Sequence, residues 1–157
     1  DLDRSRAEAA AEGREGVRVL TVDELIADAE GASHDVHVVV RSATAEDAAE
    51  AVAREIARSN LVKAAIFGND PNWGRILAAV GCVPEDVAPY DPDAVDVSVN
   101  GIQVCRSGGI GDDRDLVDMN PREVHIDIDL HAGDAEAAMW TNDLTHEYVE
   151  ENSAYTS

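Results

Sequence analysis

Val95-Asp96-Val97-Ser98-Val99-Asn100-Gly101-Ile102-Gln103-Val104 decides the fold. Valines alternate with polar residues before Asn100-Gly101, and Ile102 and Val104 resume the alternation after it. Period-two spacing sends the apolar side chains to one face of a strand. Asn-Gly supplies the two left-handed residues of a type I′ turn. The stretch therefore reads as a β-hairpin with one buried face.

Outward from the hairpin, Val124 to Leu130 alternates in the same way, and Val36, Val38 and Val40 mark a strand nearer the start. Gly133-Asp134 turns the chain into Ala135–Asp143, read as a partner strand. Residues 106–122 are rich in Gly and Asp and read as irregular loop. Between the strands lie helix signals. Thr44-Ala45-Glu46-Asp47, with Thr44 as cap, opens an amphipathic helix to about Arg58, with Ala48, Val52 and Ile56 on one stripe. Leu61 to Phe67 is a short apolar run, read as a buried strand or connecting turn. Asp70 suits an N-cap, Pro71 the first helical position and Gly81 the stop of the next helix. Thr145 caps a last helix through about Asn152. Upstream, Arg6–Arg14 reads as a charged helix, Val17–Leu20 as a strand, and Thr21 with Glu24 as a capping box on a helix ending near Gly31. The expected fold is α+β, a layered α/β domain with a mixed, largely antiparallel sheet and packing helices.

A chain of 157 residues, 45% of them hydrophobic, builds one domain with a real core. No apolar run approaches the roughly 20 residues that span a bilayer. The start, Asp1-Leu2-Asp3-Arg4, lacks a secretory pattern and a leading Met, so a processed chain or fragment is expected. Thirty-three acids against 12 bases give a net charge of −21. Such a surface repels nucleic-acid phosphates and anionic membranes, so neither is an expected partner. The acids run along the whole chain rather than in a tail, which points to adaptation to a salty cytoplasm. Cys82 and Cys105 have no metal spacing and read as small buried residues in a reducing compartment.

Candidate chemistry is sparse. His125, Asp127, Asp129 and His131 fall on one strand face, yet a solvated row opposite Ile126, Ile128 and Leu130 explains them better than a metal site. Ser107-Gly108-Gly109-Ile110-Gly111 sits outside any strand–helix junction and reads as plain loop. Cys105 near His125 or His131 is a weak nucleophile candidate. Asp70-Pro71-Asn72-Trp73-Gly74-Arg75 stays open between two readings. One is an anion-binding helix start; the other is a structural corner with Trp73 as anchor and Arg75 paired to Asp70.

Leu61-Val62-Lys63-Ala64-Ala65-Ile66-Phe67-Gly68-Asn69-Asp70-Pro71-Asn72-Trp73-Gly74-Arg75-Ile76 resembles the signature of the ornithine acetyltransferase family. Asp143-Leu144-Thr145-His146-Glu147-Tyr148-Val149 and Glu151-Asn152-Ser153-Ala154-Tyr155-Thr156-Ser157 look like that family's C-terminus. Ala29-Glu30-Gly31-Ala32-Ser33 is similar to its Gly-Glu-Gly-Ala-Thr segment. The resemblance covers residues 24–157 and makes residues 1–23 a divergent segment. It implies transfer of an acetyl group from N-acetylornithine to glutamate in arginine biosynthesis, in the cytoplasm. It implies no cofactor, with acetyl-CoA as a second acetyl donor in some members. Family enzymes cut themselves before a threonine, which becomes the N-terminal nucleophile of the second chain, its own amine serving as base. The first chain supplies an oxyanion hole.

The resemblance assigns Glu30, Asn152 and Ser157 to substrate binding: Glu30 to the substrate amino group, the other two to its polar groups. The Ala-Thr-Met cleavage motif is absent, and His34 stands where the family usually has lysine. The expectation is an acetyltransferase portion with no catalytic residue and no metal of its own. It would work with an upstream, alpha-chain-like polypeptide in a hetero-oligomer. The alternative is a non-catalytic amino-acid-binding or assembly domain of the same family.

Overall fold

A computed structural model describes residues 33–154. Among them, six strands form one sheet and four α-helices accompany it. The strands are β1 (Asp35–Ala43), β2 (Asp96–Val99), β3 (Ile102–Arg106), β4 (Gly109–Ile110), β5 (Glu123–Asp129) and β6 (Ala135–Asn142). The helices are α1 (Glu46–Arg58), α2 (Asn60–Phe67), α3 (Trp73–Val80) and α4 (His146–Ser153). The sheet order is β4-β3-β2-β5-β1-β6. Only β1 and β5 run parallel; every other neighbouring pair is antiparallel. The mixed, largely antiparallel α+β sheet expected from the sequence is therefore present.

The deciding hairpin forms as its residues dictate. Asn100 and Gly101 both take positive φ, 47° and 82°, as a type I′ turn requires. Val97 and Val99 are buried. Beside them lie Ile126 and Ile128 of β5, then Val36, Val38 and Val40 of β1. This face is the core. Removing one such Ile or Val side chain from water contributes about 1.5–3 kcal/mol. Helix α1 covers β1 and β6 with Ala48, Ala49, Val52, Ala53 and Ile56, the small alanines letting helix and sheet approach.

Several local expectations are corrected. Leu61 to Phe67 is not a strand but lies in α2. Ser59 Oγ accepts the Val62 amide at 3.4 Å, and Val62, Ala65 and Ile66 are buried at helical spacing. A short apolar run does not reveal its period by itself. The cap of α1 is Ala45, one residue after Thr44, and it makes no side-chain cap bond. The cap of α3 is Asn72, not Asp70, because Asn72 Oδ1 reaches the Arg75 amide at 3.1 Å.

The expected plain loop at 107–111 contains a second tight hairpin, with Ser107 and Gly108 at positive φ and Cys105 opposite Ile110. Strand β6 pairs with β1 rather than with the preceding β5, Val38 facing Met139. The turn between β5 and β6 is stitched to the end of β1: the Leu130 amide donates to Arg41 O, and those of Ala132 and Gly133 to Ser42 O. That carries the chain past β1 to its outer side.

Candidate functional site

The resemblance places its site residues at the ends of the chain, and the structure describes one of them. Glu30 and Ser157 lie outside the described residues, as does the expected boundary at residue 23. Asn152 is exposed on α4, its Nδ2 donating to Tyr148 O at 2.7 Å. Thr145 caps that helix as the sequence predicts, its Oγ1 accepting the Tyr148 amide at 3.1 Å.

The lead into α4 is a buried polar latch. Asp143 follows β6 and His34 precedes β1; the two are 3% exposed each. Asp143 Oδ2 accepts the His34 amide at 2.9 Å and lies 3.1 Å from His34 Nδ1. Ser33 Oγ donates to Asp143 Oδ1 at 3.2 Å, and the Asp143 amide donates to His34 O at 3.2 Å. His34 Nε2 sits 3.1 Å from Met119 O, so each ring nitrogen has an acceptor within reach. Among the described residues no buried side-chain nitrogen or oxygen lacks a partner. Sequence reading passes over this latch. Its only local signal is an acid at the end of an alternating run, and its partner lies 109 positions away.

The Asp70–Arg75 block resolves to the structural reading. Asp70 Oδ2 accepts from Asn72 Nδ2 at 2.9 Å, and Asn72 Oδ1 spends itself on the helix cap. Arg75 does not pair with Asp70; its Nη1 donates to Leu61 O at 2.9 Å, tying α3 to the start of α2. Arg114 Nη1 approaches Asp70 Oδ1 at 3.7 Å instead. Trp73 packs half-buried against the core. Within this corner Asp70 and Asn72 satisfy each other, and Arg75 is spent on the main chain of α2.

His125, Asp127 and Asp129 line the solvated face of β5, and His131 follows the strand in the turn, at φ 50°. Ile126, Ile128 and Leu130 are buried opposite this row. These polar groups are claimed by neighbours: Arg41 Nη2 donates to Asp127 at 2.9 Å, and His131 Nε2 meets Asp96 Oδ2 at 3.0 Å. The His37 ring stacks on Trp140 at 4.4 Å and meets His125 edge-on at 5.6 Å. Among the described residues no three His, Cys, Asp or Glu side chains converge on a metal position.

Partial burial pushes the Asp96 carboxyl upward, but the Ser107 amide and His131 outweigh it and hold it low. The Asp96 hydrogen bond raises His131. Cys105 is buried, and that burial, with Asp96 nearby, pushes its thiol up, the reverse of what a nucleophile needs. Cys82 is exposed, against expectation, because it follows Gly81 on the outward side of the α3 end, with Sγ 3.3 Å from Ala78 O. No described helix is long and apolar enough to cross a membrane.

Comparison with known proteins bears on the whole chain. The sequence profile of the ArgJ family matches residues 7–157. The arginine biosynthesis bifunctional protein ArgJ of Bifidobacterium longum is 61% identical over 135 residues, which is 85% of this chain and 34% of that protein. The same-named protein of Streptomyces coelicolor is 56% identical over 146 residues, 91% of this chain and 37% of that one. The chain thus spans about a third of the length of these curated relatives. The crystal structure of ArgJ from Bacillus halodurans superposes with a TM-score of 0.68 at 29% identity, covering 84% of this chain and 62% of that one. The chain belongs to the ArgJ family.

Proposed function

We propose that this chain is the C-terminal part of an acyltransferase of arginine biosynthesis that moves acetyl from N-acetylornithine to glutamate in the cytoplasm. In that transfer the amide C–N bond of N-acetylornithine breaks and a new one forms to the glutamate nitrogen. The chain contributes substrate-binding residues, Glu30, Asn152 and Ser157; the threonine nucleophile lies in the upstream segment that heads the second chain, and an alpha-chain-like polypeptide supplies the oxyanion hole. No cofactor is required; acetyl-CoA serves as a second acetyl donor in some members of the family. The observation that carries the reading is the family match over residues 7–157, together with 61% identity over 135 residues to a protein of which they make up 34%.

The residue roles are tested in the assembled enzyme. With the upstream polypeptide co-expressed, Glu30→Gln and Asn152→Ala are expected to raise KM for N-acetylornithine about 10- to 100-fold, the size of a lost hydrogen bond to a charged group. Unchanged KM in both variants would remove these residues from the site.

A further inference from the structure

We propose that Asp143 and His34 are positioning residues that set the placement of α4, and through it of Asn152. The proposal rests on the substrate reading of Asn152. Its physical basis is how little else holds this helix. Among its described residues none is buried. The amphipathic stripe that pins α1 to the sheet is therefore missing in α4. The helix is held where it begins. Asp143 is locked by the Ser33 hydroxyl, the His34 amide and the His34 ring. The Leu144 amide reaches Lys63 O at 3.4 Å, Thr145 caps the first turn, and His146 meets Phe67 edge-on at 5.1 Å.

The His34 ring extends the hold to a third segment through Met119 O. One buried carboxylate thus fixes the residue from which the site-bearing helix departs. A general core position would tolerate an apolar substitute. This one demands two acceptor oxygens, because the part-buried Ser33 hydroxyl points at Oδ1 and the buried His34 amide at Oδ2.

The test uses the full chain in molar KCl, with Asp143→Asn as the main variant. Hydrogen exchange is read at the α4 amides and at the β1 and β5 amides. The expected result is loss of α4 protection by at least about tenfold with β1 and β5 protection kept. Calorimetric titration with N-acetylornithine should then show Kd weakened about tenfold at unchanged stoichiometry, as in Asn152→Ala. A merely structural role would lower the folded fraction, and so the stoichiometry, and leave Kd alone; that outcome overturns the proposal. Equal α4 protection in Asp143→Asn and the parent also overturns it. If Asp143→Asn does not fold, Ser33→Ala, which removes one donor only, should lose α4 protection before β1 protection; simultaneous loss would refute the latch. The titration is run with the upstream polypeptide co-expressed; a parent assembly that does not bind N-acetylornithine counts against the substrate reading, while the exchange data still decide the latch.

Discussion

At Gly133 the backbone passes so close to β1 that a Cβ atom would sit 2.4 Å from Ala43 O and 3.0 Å from Thr44 Cα. Neither can swing away, since both belong to the main chain. Gly133→Ala should therefore cost about 1–3 kcal/mol, the range of overpacking, read as a lower denaturation midpoint at constant m-value. An unchanged midpoint would mean the β5–β6 turn relaxes freely.

The His131–Asp96 pair makes a pH-dependent prediction. His131 is raised, so its contribution is complete below the ordinary imidazole range and is lost as pH rises through its raised value. Asp96 is lowered, so its contribution is present above the ordinary carboxylate range and is lost as pH falls through its lowered value. The stability gap between the parent and His131→Ala should be widest near about pH 5 and smaller near about pH 9. Both side chains are substantially exposed, 46% and 26%, which limits the gap to about 0.2–1 kcal/mol. A gap that widens toward alkaline pH would contradict the assignment.

At the scale of elements, legibility followed how local the determining chemistry is. The β2–β3 hairpin, the stripe of α1 and the Thr145 cap are written in neighbouring residues, and each forms where the sequence places it. The identity of α2 was hidden because Leu61 to Phe67 carries apolar residues with no clear period; only the Ser59 cap and the burial of Val62, Ala65 and Ile66 settle it. The pairing of β6 with β1 depends on the turn stitched to Ser42, a contact between segments about 90 residues apart. The His34–Asp143 latch is longer still in sequence and left no local mark.

The α3 corner supports a further prediction. Asn72 both caps the helix and donates to Asp70, so Asn72→Ala should destabilise the fold by about 1–2 kcal/mol in chemical denaturation. A loss no larger than a few tenths would show that the cap is dispensable.

For the whole molecule, charge dominates. Even if each of the 12 bases paired with one acid, 21 of the 33 acids would remain uncompensated. Arg54 and Arg58 already spend themselves on Glu50 and Glu55 of their own helix. Screening shortens from about 10 Å at 0.1 M salt to about 3 Å at 1 M. The melting temperature should therefore climb by at least about 5 °C between 0.1 M and 2 M KCl, roughly 1–2 kcal/mol for a chain of this size. A flat profile would mean that the acids are too dispersed to strain the fold.

The fold class was legible across the molecule, because alternation and helix stripes are repeated along it. The proposed site residues, Glu30, Asn152 and Ser157, rest on family likeness alone, since a Glu, an Asn and a Ser have no chemistry in sequence that separates them from surface residues.

The central claim is tested most directly by assaying acetyl transfer from N-acetylornithine to glutamate in molar KCl, with the chain alone and with the upstream polypeptide added. Transfer by the two together and none by the chain alone is the predicted result. Transfer by the chain alone would contradict a nucleophile supplied from upstream. No transfer with a verified upstream threonine present would contradict the enzyme reading and leave a binding or assembly domain of the family.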